Sequence, residues 1–84
     1  MMADYEYAFV TALVQKLKEK IKVGVSAKIF DDELKVELFR EHEVDFTFNV
    51  KCIAERILHG YDSDICANEI TTAYRRKVLV SYFY

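Results

Sequence analysis

The side chains best suited to chemistry in this sequence are two histidines and two cysteines, His42, Cys52, His59 and Cys66. They lack the closely spaced ligand pairs typical of structural zinc sites, so we predict no metal site. Cys52 and His59 would share one face of a helix, but the pattern suggests neither a group to orient the histidine nor an oxyanion donor. We therefore predict no catalytic residue, no cofactor and no enzymatic activity.

Acidic side chains are concentrated between residues 31 and 45, where seven acids accompany only two basic residues and give a local charge of −5. They alternate with apolar residues across turns, an arrangement that argues against general acid or base catalysis. One interpretation is a solvated surface that discourages pairing between sheet edges. The other is a binding surface for a partner with a basic groove. The acids are Asp31, Asp32, Glu33, Glu37, Glu41, Glu43 and Asp45.

The composition predicts a single globular domain over residues 1–84. About half of the residues are apolar and a third are charged, with two glycines and no proline, so long linkers are not expected. The longest uncharged apolar run, residues 7–14, is far shorter than the roughly 20 residues of a membrane span. We expect a cytoplasmic protein with reduced thiols and no membrane contact. The net charge of −2 argues against nucleic acid as the partner.

Hydrophobic periodicity predicts an α+β fold of order αβββαα. Residues 4–22 have a helical period with Asp4 as a plausible N-cap, and Asn49 is suited to cap a second helix that ends before Gly60. A third helix begins after Asp62 or Ser63 and is able to reach about residue 83. Between the first two helices, the pattern alternates over three strands of an antiparallel sheet.

The predicted sheet has one apolar face, covered by helices, and one more polar face. Val44, Phe46 and Phe48 alternate with Asp45, Thr47 and Asn49, which places Val44 on the covered face and Asp45 on the other. Phe30 and Phe39 fall on the more polar face, where an aromatic side chain is available to a partner.

The last eight residues, "KVLVSYFY", allow three interpretations. They form the buried end of the third helix, a fourth strand, or an exposed apolar patch used for self-association, and pattern alone does not separate a short strand from a helix end. The self-association residues would be Leu79, Tyr82, Phe83 and Tyr84.

The segment "HGYDSDICANEITTAYRRKVL", after a helix, a sheet and a short helix, resembles the short Lys-, Glu- and Tyr-rich proteins of bacteriophages and mobile elements. The element order is also similar to that of a small acidic anti-CRISPR family. That resemblance implies an inhibitor that presents carboxylates to the DNA-binding face of a nuclease.

These observations favour a non-enzymatic protein-binding module with a host or phage protein as partner. The predicted partner-binding residues are Phe30, Asp31, Asp32, Glu33, Glu37, Phe39, Glu41 and Glu43. A self-associating structural protein is one alternative. The other is an RNA-binding domain, because αβββα is the order of double-stranded RNA-binding domains and residues 75–77 are basic.

Overall fold

The computed structural model describes residues 2–83 of the chain, and the side chains of residues 2–78. Three antiparallel strands form a sheet of order β1-β2-β3, and the αβββαα prediction is confirmed. The elements are α1 (Asp4–Lys20), β1 (Gly24–Phe30), β2 (Glu33–Arg40), β3 (Glu43–Lys51), α2 (Ile53–Leu58) and α3 (Ser63–Phe83). No helix in this part of the chain combines the length and the apolar character needed to cross a membrane.

The core lies between one face of the sheet and the helices α1 and α3, which pack against each other. The apolar stripe of α1 is buried because leucines at four-residue intervals share one side of a helix. Alternate residues of β2 are buried because successive side chains of a strand point to opposite faces of the sheet. Fully buried side chains include Leu13, Leu17, Leu34, Val36, Leu38, Ile53, Cys66 and Ile70.

A β-bulge between β2 and β3 reverses the predicted orientation of two residues. Leu38 pairs with Phe46, but the next residue, Phe39, pairs with Val44, so Asp45 is an extra residue on β3. Because paired residues share a face, Val44 lies with Phe39 on the face away from the helices, and Asp45 turns toward α3. The predicted placement was wrong because alternation holds only while the register is continuous.

The start of α2 also differs from the prediction. Asn49 does not cap it, because β3 continues to Lys51 and Asn49 pairs with Lys35. Instead, Asp32 in the β1–β2 turn caps α2 from 22 residues away: its carbonyl accepts from the Ile53 N–H at 3.1 Å and its carboxylate from the Ala54 N–H at 2.8 Å. The first hairpin therefore fixes where α2 begins.

At the starts of α1 and α3, a nearby carboxylate accepts a hydrogen bond from a backbone N–H. The N-cap of α1 is Ala3 rather than Asp4, and the Glu6 carboxylate accepts a hydrogen bond from the Ala3 N–H at 3.0 Å. The predicted cap of α3 is confirmed, since the Asp62 carboxylate accepts from the Ile65 N–H at 2.9 Å.

The backbone of α3 is helical to Phe83, which excludes the fourth-strand interpretation. The side chains of Leu79, Tyr82 and Phe83, and all of Tyr84, lie outside the described residues. Their role in self-association therefore stays a prediction.

Candidate partner-binding surfaces

The sheet face away from α1 and α3, here called the open sheet face, carries exposed apolar groups at both ends. Phe30 is 73% exposed at the end of β1. At the opposite end, Phe39 is half-buried and pairs with Val44, which is 49% exposed. Side chains on the other face of the sheet are buried in the core, so the two faces differ strongly in exposure.

The middle of the open sheet face carries charges of both signs. Lys28 lies directly opposite Lys35, although like charges in such a pair repel. Glu33 pairs with Lys51, and Glu37 lies two residues from Lys35 along the same strand. This face is therefore mixed in charge and does not form a continuous acidic surface.

The structure divides the predicted partner-binding residues between the two ends of the sheet. Asp31 and Asp32 form the β1–β2 turn, next to Phe30 and Glu33. The β2–β3 turn lies at the other end of the eight-residue strand β2, about 25 Å away. That end holds Phe39, Glu41 and Glu43, while Glu37 lies between the ends and Asp32 is engaged in capping α2.

The central residues of the β2–β3 turn have positive φ, which costs free energy for residues other than glycine. Its two central residues, Glu41 and His42, have φ of 55° and 67°, which a two-residue hairpin turn of this hand requires and which Asn-Gly supplies most easily. A shallow depression beside the turn is lined by Gly24, Phe39 and His42 among others. A Cβ on Gly24 would lie 3.3 Å from the Phe39 Cβ, so the absence of a side chain there allows the close approach.

A polar cluster joins the bulge to α3. The Tyr74 hydroxyl donates to the Asp45 carboxylate at 2.7 Å and accepts from the Arg40 guanidinium at 3.2 Å. The Lys77 ammonium contacts the same carboxylate at 3.0 Å and also donates to the Asp45 carbonyl. The hydrogen bonds from Tyr74 and Lys77 hold the pKa of Asp45 below its ordinary value. This cluster is not predictable from the sequence pattern, because only the bulge brings Asp45 to the helix side.

His42 lies in the β2–β3 turn, whereas His59 and the two cysteines lie in or beside α2 and α3. Cys52 is exposed and lines a shallow depression with His59, but within the described chain no hydrogen bond joins the two side chains. Cys66 is fully buried, and burial raises its pKa to about 11. The described residues contain no group of three side chains able to hold a metal ion. Our predictions about catalysis and metal binding stay predictions.

Neither a family model, a curated protein nor a solved structure matches this chain. The chain's own surfaces are therefore the basis for its proposed function.

Proposed function

We propose that this protein is a non-enzymatic protein-binding module whose partner packs on the open sheet face. The observation that carries the proposal is Phe30, a large aromatic side chain 73% exposed on a regular strand. Exposed aromatic groups flanked by polar residues are typical of the buried centre of protein interfaces. At the other end of the same face, Phe39 and Val44 supply a second apolar contact.

The charge of the open sheet face supports a protein rather than a nucleic acid as partner. Lys28, Lys35 and Lys51 share this face with Glu33 and Glu37, so a polyanion would meet repulsion as well as attraction. A protein surface with both signs of charge is able to complement this pattern.

We further propose, as a narrower form of this function, a phage-type inhibitor of a host protein that handles nucleic acid. The acids at the two turns would face basic side chains of that protein, with Asp31 and Glu33 at one end and Glu41 and Glu43 at the other. Because the ends are about 25 Å apart, such a partner has to span the whole sheet.

The test is capture from a nuclease-treated host lysate, with the Phe30→Ser variant compared with wild type. We expect a specific protein to be retained by wild type and its recovery to fall roughly tenfold or more with Phe30→Ser, since central aromatic contacts dominate interface energy. Leu58→Ser is the matched control, because Leu58 is 81% exposed on α2 and lines a depression with Tyr5 of α1, on the helix side of the sheet. Neutral replacements of Asp31, Glu33, Glu41 and Glu43 test the inhibitor form.

Equal loss with Phe30→Ser and Leu58→Ser would contradict the use of the open sheet face. If this protein captures material only from lysate in which RNA is left intact, the RNA-binding alternative would be favoured instead. If the neutral replacements leave capture unchanged while Phe30→Ser abolishes it, the result would support a protein-binding module and contradict the carboxylate-based inhibitor.

A further inference from the structure

A groove with cationic walls, here called the basic groove, lies where the end of α1, the chain entering β1, the end of β2 and α3 meet. Lys20, Lys22, Arg40 and Arg75 all line it. These four residues come from three separate parts of a chain whose net charge is −2. The fold therefore concentrates positive charge at one place on an acidic protein.

Three of these cations have no internal partner within the described chain. Lys20, Lys22 and Arg75 are exposed and no carboxylate lies within 4.0 Å of them there. The fourth, Arg40, lies 3.9 Å from the Asp45 carboxylate, and its side chain is still 59% exposed. Their charge is thus available to an anionic ligand.

The rest of the groove lining is apolar. Ile21 and Val23 line it from the α1–β1 connection, and Val78, 39% exposed, lines it from α3. A ligand that fills this groove has to cover apolar surface as well as compensate positive charge.

We infer that the basic groove binds an acidic peptide segment of a partner protein, with an apolar side chain against the apolar lining and carboxylates against the cations. Charge complementarity identifies the anion, and the apolar lining favours a peptide over nucleic acid. Tyr74, the aromatic residue in the lining, is only 4% exposed and its hydroxyl is bonded to Asp45, so its ring is not offered to a base for stacking. This site is separate from the open sheet face and independent of the function proposed for that face.

The probe is a fluorescein-labelled peptide of about ten residues in which a leucine follows every two glutamates, titrated into the full chain at low salt. We expect saturable binding by anisotropy that weakens roughly tenfold or more with Lys22→Glu or Arg75→Glu, and also weakens as salt is raised. The matched control, Lys35→Glu, reverses an exposed charge on the open sheet face and should leave the affinity within about twofold. Circular dichroism melting establishes that each variant is folded.

Amide chemical shifts locate the site. The proposal requires the largest shifts at residues 20–23, 40 and 74–78. It is overturned if the peptide does not bind saturably, if Lys35→Glu weakens binding as much as Arg75→Glu, or if replacing the leucines with serines leaves the affinity unchanged. An RNA oligonucleotide of equal charge that displaces the peptide at lower concentration would also overturn it, in favour of nucleic acid.

Discussion

Asp45 occupies the extra position of the bulge, and its carboxylate joins the sheet to α3. Tyr74 and Lys77 both donate to it, and Arg40 donates to the Tyr74 hydroxyl, so one carboxylate organises three other side chains. Tyr74 is 4% exposed, and its hydroxyl has a partner for both its donor and its acceptor function. Loss of the carboxylate charge therefore weakens a partly buried network.

We predict that Asp45→Asn lowers the free energy of unfolding by roughly 1 kcal/mol at neutral pH. The effect is small because solvent screens the attraction between the Asp45 carboxylate and its cationic neighbours. The pKa of Asp45 is lowered from 3.8 in the folded protein, so its stabilising contribution is present above that pH and is lost as pH falls through the lowered pKa. The difference between wild type and variant should thus shrink in acid. Urea unfolding at several pH values measures it.

The control is Asp64→Asn, which removes a carboxylate that is 67% exposed and lies 2.9 Å from Lys16. Such surface pairs contribute little, so we expect a smaller change. A loss with Asp45→Asn that is no larger than with Asp64→Asn, or that is the same at every pH, would contradict the role assigned to the cluster.

The two hairpin turns are alike in backbone φ but differ in the contacts that their side chains make. In each, both central residues have positive φ, as the twist of two-residue hairpins favours. Asp32 in the first turn also caps α2, whereas no capping bond is formed by His42 in the second turn within the described chain. The same substitution in the two turns therefore separates the backbone effect from the capping effect.

We predict that His42→Gly raises the free energy of unfolding by about 1 kcal/mol, because glycine adopts φ of 67° without the steric cost that a Cβ brings. Asp32→Gly should give no such gain, since the relief at φ of 57° is offset by loss of the 2.8 Å bond to the Ala54 N–H. Thermal unfolding of both variants checks this. Equal stabilisation by the two would mean that the Asp32 carboxylate contributes nothing to α2.

The sequence predicted the element order and the covered face of the sheet because burial imposes periods of 3.6 and 2 on the apolar residues. The predicted face of Asp45 was wrong, since a β-bulge changes the face of a residue without changing the composition around it. The predicted cap of α2 was also wrong, because Asp32 and Ala54 are distant along the chain. The candidate surfaces were predictable only in part: Phe30 and Phe39 follow from alternation, but the meeting of Lys22, Arg40 and Arg75 requires the folded chain.

Substitutions in the core test how large the free energy of unfolding of this small protein is. A chain of this size buries only slightly more than about 60% of its unfolded surface, so its free energy of unfolding should lie near the lower end of the usual range of about 5–15 kcal/mol. Leu34 is fully buried on the central strand, and Leu34→Ala should cost about 2–5 kcal/mol, enough to leave the protein partly unfolded. Leu58→Ala makes the same chemical change at a side chain that is 81% exposed, and should shift stability by less than about 0.5 kcal/mol. Urea unfolding followed by circular dichroism compares the two, and similar midpoints for both variants would mean that the sheet and helices do not share the single core described above.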